Sequence, residues 1–167
     1  VGGWYDSWAG NTTANYMKLS KTIKGPVYLI MGPWIHGLQG ESAHGQVSFG
    51  AEAAIPNTTL WQLEWFDHWL KGIDNSVGKS APFRTPVRIF VMGTGDGSKT
   101  ADGRLNHGGY WRDEREWPLA RARSTKWYFQ NGGGLSGTQP AAASSSTHYL
   151  YDPKNPVPTI GGNISSG

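Results

Sequence analysis

The apolar positions of the chain change their period twice along its length. In "NTTANYMKLSKTIKG" (residues 11–25) Tyr16, Leu19 and Ile23 recur at helical spacing. That predicts a helix capped by Thr12 or Thr13 and stopped by Gly25, with Lys21 and Lys24 at the negative end of its dipole. "PVYLIM" (26–31) follows as an unbroken apolar run bounded by Gly and Pro. Such a run suits a strand covered on both faces, as in a parallel sheet. "VGGWYD" (1–6) reads as a strand end entering a glycine-rich turn. The first 37 residues therefore predict a strand, a helix and a second strand joined by a right-handed crossover. Asp6 and His36 then follow the two strands at the carboxyl edge, where open α/β sheets place ligands.

Residues 38–57 show no period and read as a loop. "TTLWQLEWFDHWLKGI" (58–73) predicts a second helix, capped by Thr58 or Thr59 and ended by Gly72. Leu60, Leu63, Phe66, Trp69 and Leu70 form its expected buried stripe. The pattern then changes. "NSVGKSAPFRTP" (75–86) reads as a linker, and "PVRIFVMG" (86–93) as a strand with Arg88 in an apolar setting. Beyond it no helical period remains. "KWYFQ" (126–130) and "HYLYD" (148–152) read as short strands separated by the low-complexity "NGGGLSGTQPAAASSST". The fold class is therefore α/β over residues 1–78, followed over 79–167 by the start of an antiparallel β domain. The closing "GGNISSG" offers no terminating element, so the chain is expected to be cut at that end as well as before Val1.

Composition narrows the functional classes. Nine Trp, seven Tyr and five Phe provide large rings for closing a core or a pocket, and 24 Gly with ten Pro imply many turns. A net charge of +3 is weak. Its clusters, Arg112/Arg115 and Arg121/Arg123/Lys126, read as solvated surface, the first because Asp113, Glu114 and Glu116 interrupt it. Nucleic-acid binding is disfavoured on that ground. The absence of Cys excludes disulfides, thiol catalysis and Cys-ligated zinc, and leaves the compartment undecided. No apolar run reaches the roughly 18–20 residues of a membrane span.

An acid and an imidazole at successive strand ends suit two members of a Ser-His-Asp triad. There the acid fixes the tautomer of the imidazole and stabilises the imidazolium. An Asp after a strand also serves as a turn or helix cap, and a His there also serves as a hydrogen-bonded structural group. The order acid then His matches that of α/β-hydrolases, in which the Ser comes first. The nucleophile elbow G-x-S-x-G occurs nowhere in the chain. Ser48 in "GQVSFG" and Ser98 in "GDGSK" fail it and lie downstream of Asp6. His44, His68, His107 and His148 show no metal-ligand spacing, and no cofactor is expected. "GTGDG" (93–97) reads as a turn, and the N-x-S/T patterns at 11–13, 57–59 and 163–165 as chance occurrences.

Six segments in order, "GGWYD", "LIMGPWIHG", "WFDHWLKG", "PVRIFVMG", "YWRDEREWP" and "YLYDPKNPVPTIGG", resemble the successive signatures of the X-Pro dipeptidyl-peptidase and cocaine-esterase type of serine hydrolases. The resemblance runs through nearly the whole chain. It implies an α/β-hydrolase domain, interrupted by a helical cap and followed by a C-terminal β jelly roll, of which this chain carries the end of the first and part of the second. It implies that Asp6 is the triad acid and His36 the triad base. The Ser, in a G-x-S-Y-x-G elbow, and the oxyanion-hole Tyr would lie upstream of Val1. Trp8 falls where family members carry an aromatic lining the acyl pocket. Trp8 and Ala9 also stand where the amino-acid ester hydrolase branch carries acidic residues, a departure that argues against such substrates.

The resemblance thus implies a serine hydrolase acting on small-molecule acyl esters or amides, with the rest of the polypeptide as its structural partner. It implies neither nucleic acid nor membrane as a partner, and leaves homo-oligomerisation open. The 167 residues alone are expected to be inactive. X-Pro dipeptidyl-peptidase activity is the alternative within the family. A non-catalytic, aromatic-rich β module that binds sugars or a partner is the alternative from another class.

Overall fold

The structure, a computed structural model, describes residues 1–141, 146 and 148–157. The N-x-S pattern at 163–165 and the terminal "GGNISSG" lie outside the described residues. The described chain divides into a unit spanning Val1–Ala120 and a second that begins at Arg121.

The first unit is built on a mixed four-stranded sheet. Strand β1 (Gly2–Gly3) is followed by helix α1 (Ala9–Thr22) and strand β2 (Leu29–Gly32), and β1 and β2 pair in parallel, Gly3 opposite Gly32. On its other edge β2 pairs in parallel with β5 (Val87–Met92), which in turn pairs antiparallel with β7 (Gly109–Glu114). β5, assigned by the sequence to the second region, thus continues the sheet of the first. Parallel strands lack the alternation of a half-solvated sheet because both their faces are covered. Leu29 and Met31 pack on one side with Tyr16 of α1, Val87 and Ile89. Ile30 packs on the other with Trp34, Val77 and Phe83. The unbroken apolar run at 26–31 records this two-sided burial.

Both helices form, with different ends from those expected. α1 begins at Ala9, with Trp8 at the N-cap and no side-chain cap. Thr12 and Thr13 lie inside the helix, where the Thr13 hydroxyl donates back to the carbonyls of Ala9 and Gly10. Helix α2 spans Thr58–Lys71 behind Asn57, and neither Thr58 nor Thr59 caps it. Its far end follows the sequence: Gly72 is left-handed (φ 70°), with its N–H on the His68 carbonyl and that of Ile73 on the Asp67 carbonyl.

The buried face of α2 is not the expected stripe. Leu60, Leu63, Phe66, Trp69 and Leu70 are all exposed. The helix instead lays Trp61 and Trp65, four residues apart, against Tyr28 and Phe83. The helix is apolar on more than one side, so the spacing of its leucines does not decide which side is covered.

Other departures come from pairings too short or too charged to show a period. The expected loop at 38–57 holds a two-residue hairpin, β3 (Ala43–His44) and β4 (Val47–Ser48), and a 3-10 turn at Ala51–Ala53. β4 also pairs in parallel with β6 (Leu105–Asn106). The expected solvated cluster around Arg112 is β7 itself. Asp113, opposite Arg88, accepts from its guanidinium at 2.7 Å and also from Arg84, while the Arg88 guanidinium lies over the Trp111 ring. That pairing accounts for a charged residue in an apolar strand, and charges suit a strand at a sheet edge.

In the second unit β8 (Tyr128–Phe129) forms as expected and pairs antiparallel with β9 (Leu135–Ser136), drawn from the low-complexity stretch. "HYLYD" is not a strand. Its Tyr149, Leu150 and Tyr151 are exposed, as are Trp127 and Phe129.

Candidate active site

Because β1 and β2 run parallel, the turns after them leave the sheet at the same edge. They cross closely, and two glycines make the crossing possible. A side-chain carbon at Gly3 would lie 2.0 Å from the Trp34 carbonyl oxygen, and one at Gly32 2.4 Å from the Trp34 ring. Without such carbons the backbones lock together: Trp4 N–H donates to the Gly32 carbonyl at 2.8 Å and Tyr5 N–H to the Trp34 carbonyl at 3.1 Å.

That crossing brings Asp6 and His36, thirty residues apart in sequence, into contact. Asp6 is buried, and its two carboxylate oxygens have separate tasks. Oδ1 accepts the Trp8 N–H at 2.9 Å, while its carbonyl accepts the Ala9 N–H at 3.1 Å. These bonds hold the turn into α1, as the plain turn-capping reading of Asp6 expects. Oδ2 meets His36 Nδ1 at 2.8 Å. A carboxylate only accepts, so the hydrogen of a neutral imidazole is placed on Nδ1, leaving Nε2 free to take a proton. The His36 side chain is 52% exposed, which leaves that nitrogen open to a reacting group. Trp8 stands edge-on to the imidazole, ring centres 4.7 Å apart, and is itself half exposed. An orienting acid, a base with a free nitrogen and an aromatic wall together suit proton transfer to and from a bound nucleophile.

His44 is buried, and its surroundings push its imidazole below the ordinary range, chiefly through burial, with Glu41 opposing and Arg104 adding to the effect. His44 Nε2 and His107 Nδ1 have no hydrogen-bond partner. Among the described residues no group of three or more His, Asp or Glu could hold a metal ion. An apolar hollow of about 430 Å³, lined by Tyr28, Trp61, Trp65 and Phe83, touches neither Asp6 nor His36.

Reading the sequence missed two indole hydrogen bonds that meet on the 3-10 turn. Trp34 is fully buried, and its indole N–H donates to the Ala53 carbonyl at 2.7 Å. The Trp111 indole donates to the neighbouring Glu52 carbonyl at 2.8 Å. The signal available was the pair of tryptophans itself, since a buried indole needs an acceptor. Which carbonyls accept is settled only by the fold.

Residues 83–160 match the X-Pro dipeptidyl-peptidase C-terminal non-catalytic domain. Asp6 and His36 lie before that stretch. The chain is also 30% identical over 171 residues to a cocaine esterase from Rhodococcus sp. (strain MB1 Bresler), an alignment covering 97% of this chain and 26% of that relative. The chain thus spans about a quarter of the length of the relative it matches.

Proposed function

The chain belongs to the X-Pro dipeptidyl-peptidase and cocaine-esterase family of hydrolases, and from that premise we propose that it supplies the acid and base of a serine hydrolase acting on small acyl esters or amides. The observation that carries the reading is the 2.8 Å contact between Asp6 and His36 at one edge of the parallel strands. In this scheme His36 Nε2 removes the proton from a serine as it attacks the acyl carbon, and then returns it to the leaving group. Asp6 fixes the imidazole and stabilises its protonated form, and Trp8 walls the acyl side. The serine comes from polypeptide beyond this chain, consistent with a relative of which the chain covers about a quarter.

We assign residues 1–78 to the end of an α/β-hydrolase domain and residues 79–167 to the beginning of a β jelly roll, with β5 and β7 of the later region extending the sheet of the first. The non-catalytic domain match beginning at residue 83 supports the division. The match to a domain of X-Pro dipeptidyl-peptidases also favours that activity as a second reading. Exposed Trp127, Phe129, Tyr149 and Tyr151 favour a binding role for the second unit, which is compatible with either activity.

The test uses the longer protein that carries the nucleophile. His36→Ala is expected to reduce kcat on a small nitrophenyl ester by at least about 10³-fold, and Asp6→Asn by a comparable factor through the wrong tautomer. Undiminished turnover in His36→Ala would remove the proposed base.

A further inference from the structure

The imidazole of His36 is half exposed, so packing around the ring does not fix where it points. It is held by one carboxylate oxygen and the edge of Trp8. Its position therefore depends on how the backbone leaves β2, and two residues earlier that backbone carries Trp34.

Trp34 is tied in three directions. Its ring lies over Gly32, where any side chain would collide with it. Its carbonyl accepts the N–H of Tyr5, the residue before Asp6. Its indole N–H reaches 19 residues along the chain to the Ala53 carbonyl in the 3-10 turn. The first tie sets the exit from β2, the second sets the turn that carries the acid, and the third anchors both to a buried point outside either turn. A shift of the indole would move acid and base at once.

We propose that Trp34 is the positioning residue of the Asp6–His36 pair, keeping imidazole and carboxylate in register through the hydrogen bond of its indole to the Ala53 carbonyl. The proposal rests on the reading of that pair as acid and base. A residue serving only as core filler would act through its volume. A positioning residue acts through its N–H, and its loss falls on the chemical step rather than on substrate binding.

Trp34→Phe in the longer, active protein keeps an aromatic ring and removes the donor. Displacements near 1 Å cost on the order of 10²-fold in rate, so kcat on a small nitrophenyl ester is expected to fall about 10- to 100-fold, with KM changed less than about 2-fold. The Trp111 ring packs against Trp34, centroids 5.6 Å apart, and Trp111→Phe keeps a ring there while removing the neighbouring indole bond to the same turn, at Glu52. It is expected to leave kcat within about 2-fold. If Trp34→Phe does not fold, a benzothienyl analogue of tryptophan at position 34, of equal shape but without the N–H, takes its place with the same expected drop. An unchanged kcat in the donor-less variant, or an equal drop in Trp111→Phe, overturns the proposal while leaving the acid–base reading intact. Full activity in His36→Ala overturns the acid–base reading instead, so the two failures are told apart.

Discussion

A methyl group added at Gly32 would sit 2.4 Å from the Trp34 ring, closer than real side-chain carbons come to anything. Neither a buried indole nor a central strand yields easily, so Gly32→Ala is expected to destabilise the protein by about 1–3 kcal/mol. At Gly10, inside α1, an added carbon meets open space. Gly10→Ala is therefore expected to stabilise by about 0.5–1 kcal/mol through helix propensity. Urea midpoints of the two variants should move in opposite directions. His44 offers a second residue-scale test. Burial holds its imidazole below the ordinary range, so the unfolded chain takes up the proton more readily. Its contribution is complete above the unfolded value of about 6.5 and is lost as pH falls from there through the folded value. Urea midpoints at pH 7.5 and 5.5 should therefore differ less in His44→Gln than in the parent, and an equal difference would contradict this account.

At the scale of elements, α2 shows how hydrophobic period and packing part company. The leucine stripe has the right spacing for a buried face, yet Leu70 is 77% exposed while the indole of Trp65 rests on Tyr28 and Phe83. Trp65→Ala is expected to cost about 2–4 kcal/mol, and Leu70→Ala within about 0.5 kcal/mol of nothing. A thermal or denaturant midpoint lowered more by Leu70→Ala would place the contact face of the helix wrongly. β7 teaches the complementary lesson. Its run of charges hides a strand because Asp113 is paired across to Arg88 rather than hydrated.

At the scale of the whole molecule, the residues proposed as acid and base, Asp6 and His36, are present in one chain while the nucleophile elbow is not. A fluorophosphonate probe is expected to label the longer protein and to leave the 167-residue chain unmodified. Labelling of the 167-residue chain would place a reactive serine within it, contrary to the proposed division of labour. Residual activity from acid and base alone is not expected, because triad members act as a unit.

How far the sequence reached can be stated by cause. The two-sided burial of β2, the two helices, the glycine stop of α2 and the placing of Asp6 and His36 after successive strands were legible, because local periodicity and turn chemistry encode them. The six ordered segments also pointed to the family. Only the tertiary structure decided that Gly3 and Gly32 let two turns cross, that Trp34 and Trp111 find acceptors on one short turn, and which side of α2 is covered. It also decided that β7 pairs with β5. Each of those outcomes depends on contacts between residues far apart in the chain, where burial and hydrogen-bond partners are fixed by the assembled backbone and not by any local pattern.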